Sequence, residues 1–510
     1  MGSSQKMNRR AFLRQTAAAG ALSIGPWILS AAARRSQPNV VVIMSDEHDP
    51  MVSGCYGDRI VHTPNLDGLA ERGIVFENCY TTSPLCVPAR LSFTAGKYVS
   101  RIGAWANSCM LPRDDYPSLP HIPNAAGYES FLAGKMHYDA THRYGFRELY
   151  PSNNGFMNGR GGRRKADDQT VNHGGWNARA ADFKVAPTST VMTHDRRVTD
   201  NCSKFLAERR ASDKPFFVLA GYLAPHFPLT VPEEFYRPYQ DKVATPHIPA
   251  GFFDSMPLNY KHLRWGFGTV DATPAQIKMG RQCYYGLTQW VDNEIGSLLA
   301  ALRKSAAAEN TVIVYTADHG EDRGERGLWW KNCMYETAAH IPLIVSWPER
   351  WKGSQRRVGA CSMVDIVKAV AEIGGAKVPG GWNGDSLAAW ADDPKTKWED
   401  LALSEYYAHN IASGFTMVRM GKYKYTYHAR MDDQHGPERE LHDLESDPGE
   451  YVNLAGKPEH AERVAMMHKA MVKEIGREPG ETELVCRANF AKGYGRKEAK
   501  GKKKKAEEVE

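Results

Sequence analysis

The chain has 510 residues, of which 42% are hydrophobic, 10% aromatic and 24% charged; this ordinary globular usage excludes a disordered, collagen-like or multi-span membrane protein. That length calls for one large α/β domain with an accessory piece rather than a single small domain. The net charge of +6 sits at the ends: residues 1–33 and 491–510 carry +4 each, leaving −2 on the body, which excludes nucleic acid as a partner.

The first thirty-three residues read as an export signal. Asn8-Arg9-Arg10-Ala11-Phe12-Leu13-Arg14 is a twin-arginine pattern, followed by an Ala/Gly-rich run that ends in Ala31-Ala32-Ala33, a small-residue cleavage site. Gly20, Gly25 and Pro26 make that run a poor spanning helix, so no stable membrane insertion is expected. The expected location is periplasmic or secreted, reached through the twin-arginine export machinery.

Residues 34–395 form the expected catalytic domain. Four short apolar runs (40–44, 130–133, 216–219 and 312–315) each lead towards a polar cluster. The clusters are Ser45-Asp46-Glu47-His48, Gly134-Lys135-Met136-His137, Pro225-His226 and Thr316-Ala317-Asp318-His319-Gly320. Runs this short and β-rich, separated by helical stretches, predict parallel strands buried on both faces, with the clusters meeting beyond their carboxyl ends. Helices are expected over 65–73, 276–304 and 365–373. Residues 149–190, rich in Gly, Asn and Arg, read as a loop: either a loose insertion or part of a pocket rim. From 396 to 490 a smaller C-terminal α+β domain is expected, with an antiparallel hairpin over 415–420 and 423–428 around Gly421-Lys422. Residues 491–510 read as a disordered, basic and acidic tail.

Nine cysteines with no CxxC pair exclude a zinc framework. If one is chemically special, the other eight are buried thiols, with at most one or two disulfides among them.

The most informative stretch is Cys86-Val87-Pro88-Ala89-Arg90, with Gly96 ten residues after the cysteine. Alone, this string also suits a buried cysteine beside a turn, so its context decides. Pro38-Asn39-Val40 to Asp46, Thr63-Pro64-Asn65-Leu66-Asp67, Gly134–His137 and Leu441-His442-Asp443-Leu444 before Asp447-Pro448 supply that context. With them, the chain resembles the type I, formylglycine-dependent sulfatases of the alkaline phosphatase superfamily across 38–455. Residues 98–107 and 324–329 are most similar to the choline-sulfatase and phosphonate monoester hydrolase branch.

The resemblance implies a large mixed, mostly parallel sheet sandwiched by helices. It also implies that a formylglycine-generating enzyme oxidises Cys86 to 3-oxoalanine (formylglycine). A hydrated aldehyde suits sulfate esters: one hydroxyl attacks sulfur, and the other loses its proton to expel sulfate, where a thiol or serine would be left sulfated. A divalent cation would lower the hydroxyl's pKa and neutralise the sulfate oxygens. Its implied ligands are Asp46, Glu47, Asp318 and His319, with residue 86. Calcium is the family's usual ion; His319, where the family often has Asn, leaves manganese as the alternative. Glu47 stands where a shorter Asp is common.

By position, Arg90 would hold the hydrated aldehyde, and Lys135 and Lys331 would clamp sulfate oxygens. His137 would take the second hydroxyl's proton. His226 would donate to the leaving alcohol, as an imidazole of ordinary affinity can near neutral pH. His48, Asp49, Glu321 and Asp322 read as neighbours of these groups or as solvated loop charges. Arg160, Arg163, Arg164 and Lys165 read as contacts for further sulfates or as a basic loop, and Trp329 and Trp330 as a sugar platform or as core.

The expected function is therefore an exported sulfatase acting on sulfate monoesters, favouring sulfated carbohydrates because export suits a polymer more than a small osmolyte. Alternatives are a choline sulfate or aryl sulfate hydrolase, a phosphonate or phosphate ester hydrolase with the same site, and a non-catalytic glycan-binding protein.

Overall fold

The computed structural model describes residues 37–139, 141–152 and 162–493. The expected export leader, Arg160 and residues 494–510 of the expected tail lie outside the described residues.

The main sheet contains β1 (Asn39–Asp46), β2 (Ile74–Tyr80), β3 (Glu129–Gly134) and β4 (Arg147–Tyr150). Two-residue strands β5 (Lys184–Val185) and β7 (Thr230–Val231) pair separately, on either side in the chain of β6 (Phe216–Pro225). The main sheet then takes in β8 (Thr311–Ala317), β9 (His340–Ile341), β10 (Leu343–Ser346) and β11 (Gln355–Ser362). Its order is β11-β2-β10-β8-β1-β6-β3-β4, with β9 beside β2. Only β10 and β9 run antiparallel to their neighbours. The sheet is mixed and mostly parallel, as expected.

The four expected parallel strands lie in its centre. β8, β1, β6 and β3 are consecutive, mutually parallel neighbours, so their carboxyl ends share one edge. Alternating side chains reach opposite faces: Val41 and Ile43 join one core, while Val40, Val42 and Met44 join the other. Helices Pro274–Lys304 and Thr190–Glu208 cover the first face; Cys86–Ala95 and Met363–Ile373 cover the second. Burial on both faces explains why these strands read as continuous apolar runs.

The expected helices form as Pro64–Glu71, Pro274–Lys304 and Met363–Ile373. Thr273 and Gln276 close a capping box ahead of the long one, beside Pro274. The loop reading of 149–190 needs correction, because it contains the helix His173–Ala180. Gly174 and Gly175 hide that helix from propensity; burial of Trp176 against Phe183 and Trp329 holds it.

Strands β12 (Leu401–Tyr406), β13 (Phe415–Met420), β14 (Tyr423–His428) and β15 (Glu438–Asp443) form a separate antiparallel sheet. Helix Ala461–Ile475 packs on it through Met467, Met471 and Ile475. The β13–β14 hairpin turns at Gly421, whose φ of +54° suits a residue without Cβ. Eight of the nine cysteines are buried, and no disulfide joins any of them among the described residues.

Buried Asp195 fastens the end of β6 to the helix behind it. Its carboxylate accepts from Leu223 N at 2.7 Å and Ala224 N at 2.8 Å, just before His226. Asp195→Ala orphans both donors and is expected to cost about 2–4 kcal/mol. Thermal unfolding followed by circular dichroism checks this as a lowered midpoint.

Candidate active site

The four strand ends converge on Cys86. β1 delivers Asp46 and Glu47, β3 delivers Lys135 and His137, β6 delivers His226, and β8 delivers Asp318 and His319. Cys86 is the first residue of the wholly buried helix Cys86–Ala95, whose positive dipole end faces the site. Asn107 Oδ1 accepts from Val87 N at 3.1 Å and satisfies one free amide of that first turn.

Cys86 Sγ lies 3.1 Å from His319 Nε2 and 3.8 Å from Asp46 Oδ1. Ligand atoms of Asp46, Cys86, Asp318 and His319 all fall within 4.8 Å of one another. Glu47 groups instead with Asp46 and His226: its carboxylate lies 3.3 Å from His226 Nε2 and 3.1 Å from Lys331 Nζ. The implied five-ligand set is thus drawn together as two clusters that share Asp46.

The charges are dense and dry. Arg90, fully buried, spans Asp318 (Nε to Oδ2, 2.8 Å), Asp46 (Nη2 to Oδ2, 3.2 Å) and the carbonyl of Lys135 (2.5 Å). Lys135 also pairs with Asp46. Burial raises the Asp46 pKa, but Lys135, His226 and Arg90 outweigh it and hold the carboxyl well below its usual range. For Glu47, burial wins over Lys331 and its pKa rises. Both Glu47 oxygens are buried, and neither has a donor in hydrogen-bond alignment among the described residues. An under-compensated carboxylate beside a cluster of two carboxylates, an imidazole and residue 86 fits a divalent cation.

Burial, then the charge of Asp46, pushes the Cys86 thiol up to about 12. As an unmodified thiol, Cys86 is therefore a poor nucleophile near neutral pH. His137 is held well below its ordinary affinity by burial, Lys135 and Arg90, and its Nδ1 is buried without a partner among the described residues. For His226 the expectation of an ordinary imidazole is corrected: burial and Lys331 hold it neutral. Its Nδ1 lies 2.6 Å from Phe227 O, so that nitrogen donates and Nε2 accepts from Lys331 Nζ at 2.9 Å.

Glu47, His137, Trp330 and Asn332 all adopt left-handed φ of 58–81°, a strained backbone concentrated here. At Gly134 (φ +88°) and Gly221 the strands pass so closely that a Cβ on Gly221 would lie 2.3 Å from the Lys135 carbonyl. Lys135 is aimed by that contact and by its N–H bond to Gly221 O at 2.8 Å.

The flanking residues separate. His48 is buried against Tyr315 at 2.5 Å, Asp49 pairs with Arg323, and Asp322 accepts from Thr337 at 2.6 Å. Glu321 accepts from Trp330 N at 2.5 Å and so sets the backbone leading to Lys331. All four are buried supports rather than solvated loop charges. Arg163 is tied to Glu483 and Arg164 to Asp168, so neither is presented to a ligand, while Lys165 is exposed. Trp329 is core against Phe183 and Trp176, whereas Trp330 faces the site.

Above Cys86 opens a cavity of about 550 Å³. Its wall includes Lys135, His137, His226 and Lys331, together with Arg179, Phe267 and His409, which the sequence reading did not single out. Arg179 comes from the unforeseen helix, and His409 from the loop between β12 and β13. Neither carries a local motif; only chain packing brings them here.

The sulfatase family profile matches residues 38–376, well over half of the chain. The chain belongs to the sulfatase family. It is a sulfuric ester hydrolase, and the family generally uses a metal ion and formylglycine. A second profile, that of the N-sulphoglucosamine sulphohydrolase C-terminal region, matches 324–477. The choline-sulfatase of Rhizobium meliloti is 28% identical over 444 residues, covering 83% of each chain. The phosphonate monoester hydrolase of Agrobacterium radiobacter superposes with a TM-score of 0.71 at 21% identity, over 86% of this chain and 95% of its own. BT4656, solved in complex with its substrate D-glucosamine-2-N,6-O-disulfate, superposes with a TM-score of 0.68 at 21% identity, over 86% and 98%.

Because folding brings carboxylates together that a cation would relieve, chelation with EDTA is expected to lower the thermal midpoint, and Ca2+ or Mn2+ to restore it. Asp318→Asn should abolish that metal-dependent shift, as read by the same melt.

Proposed function

We propose that this protein is an exported sulfatase that releases inorganic sulfate from carbohydrate sulfate monoesters. The observation that carries this reading is the cavity: Cys86 lies at its base, Lys135 and Lys331 flank it, and no Asp or Glu lines its wall among the described residues. A site of this polarity attracts an anionic ester. The choline ester reading is weaker, because a quaternary ammonium needs open aromatic faces and Arg179 already stands over Trp330 at 4.7 Å and Phe267 at 5.2 Å.

The nucleophile is residue 86 after oxidation of Cys86 to formylglycine. Asp46, Asp318, His319 and residue 86, with Glu47 adjoining through Asp46, would hold the cation, calcium first and manganese second. When bound, it would acidify the attacking hydroxyl and offset sulfate charge. Arg90 fixes Asp46 and Asp318 in place, one helical turn from residue 86. Lys135 and Lys331 bind sulfate oxygens as point charges. His137, neutral and unpartnered at Nδ1, takes the proton released at residue 86 as sulfate leaves. Lys331 directs a proton at His226 Nε2, and the pair supplies the leaving alcohol.

Mass spectrometry of the tryptic peptide 73–90 from the native host is expected to show a species lighter than the cysteine form by roughly the mass of one water. An unmodified Cys86 in active protein would overturn the mechanism. Lys331→Ala should lower kcat about 10²–10³-fold in a sulfate-release assay. Faster release from a phosphonate monoester than from any sulfate ester would move the assignment to phosphorus.

The pH profile follows from the two lowered imidazoles. Both stay neutral below their usual range, so activity persists on descending through about pH 6.5 and falls only as His137 protonates further down. An acid limb of kcat/KM at or above that pH would contradict the assignment. Export is checked by fractionation: changing Arg9 and Arg10 to Lys together should retain the protein in the cytoplasm.

A further inference from the structure

Arg179 is the third Lys or Arg on the cavity wall among the described residues, and it differs from the other two. Lys135 and Lys331 are each bound to a carboxylate of the cleavage centre, Asp46 and Glu47 respectively. Arg179 has no acidic partner within ion-pair distance among the described residues, and burial alone acts on its charge. The guanidinium is half-buried and stands over Trp330 and Phe267, its carbon 4.7 and 5.2 Å from the ring centroids. The two rings give the cation an aromatic seat, and Arg179 lines the cavity with no carboxylate to pair with its N–H groups among the described residues.

The surroundings have the same polarity. No Asp or Glu lines this wall among the described residues, and the neighbouring His409 is pushed down to about 4 by burial, with Lys331 and Arg179 adding to the effect. His409 thus lies within the fields of both cations and stays neutral. Between Lys331 and Arg179 the wall thus carries no acid among the described residues. A partly desolvated guanidinium fork held in this way is suited to a planar or tetrahedral anion.

We propose that Arg179 is a specificity-determining residue: it binds a second anionic group, a carboxylate or a second sulfate, on the same molecule whose sulfate ester is cleaved at residue 86. This rests on the reading of the cavity as the sulfate-ester site. It narrows the substrate class to esters bearing at least two negative groups.

The test compares phenyl sulfate with 3- and 4-carboxyphenyl sulfate and with 1,3- and 1,4-phenylene disulfate, using matured full-length protein. Wild type is expected to favour at least one dianionic ester in kcat/KM. Arg179→Met should reduce that preference about ten- to a hundred-fold, mainly through KM, and Arg179→Lys should restore part of it. Whether the carboxylates or the disulfates show the Arg179-dependent preference identifies the second group. A role confined to stacking would lower all five substrates together and leave the ratio unchanged, which would overturn the proposal. So would a wild type with no dianion preference.

Titration calorimetry of the same esters in a Cys86→Ala background reads the Kd ratio without turnover. An Arg179-dependent ratio there supports the proposal and an Arg179-independent one overturns it, even if no ester is cleaved. Absence of sulfate release from all five esters by protein with verified formylglycine would count separately, against the sulfate-ester reading. If Arg179→Met fails to fold, Arg179→Gln and Arg179→Lys give the same ratios.

Discussion

Asp46 is a carboxylate with no access to water, and the arrangement of the site follows from keeping it charged. Burial alone would neutralise it; Lys135, His226 and Arg90 prevent this. Each compensating group arrives from a different element: Lys135 follows β3, His226 follows β6, and Arg90 lies one turn into the Cys86 helix. The same carboxylate belongs to both ligand clusters. A misplaced strand would leave a buried charge without its counter-ion, so the fold and the site are specified together.

Charge compensation here is local and incomplete. Arg90, Lys135 and Lys331 stand against Asp46, Glu47 and Asp318, which leaves little net charge at the centre until a cation is added. Glu47 marks the shortfall, with its pKa raised and both oxygens unaligned. The left-handed backbone at Glu47, His137, Trp330 and Asn332 belongs to the same picture. Strain of that kind persists only where surrounding contacts over-determine it, as Glu321 does at Trp330 N and Tyr284 does at the Glu47 carbonyl.

Away from the centre, the cavity wall is assembled from remote parts of the chain. Arg179 is placed by the helix His173–Ala180, which is held by Trp176 packing against Trp329. Trp330, the next residue, turns into the cavity and carries the guanidinium. Two adjacent tryptophans thus do different work, one anchoring the wall and one forming it. His409 is contributed by the loop of the smaller sheet, so that sheet helps to shape the pocket as well as closing the fold.

Much of the centre was legible in the sequence. Apolar runs buried on both faces announce parallel strands, and the chemistry of such sheets sits at their carboxyl ends, so Asp46, Lys135, His137, His226, Asp318 and His319 could be assigned to one edge before any coordinates. The Cys86–Arg90 string and its flanking motifs named the family for the same reason: they are local, and local patterns survive in a linear reading. Tertiary structure alone decided the rest. Ion pairing consumed Arg163 and Arg164, burial and Lys331 made His226 a neutral partner, and Trp329 parted from Trp330. The helix bearing Arg179 formed in a stretch whose glycines argue against it. These outcomes depend on burial and on charges brought together from distant positions, and desolvation and Coulomb terms have no signature in residue order.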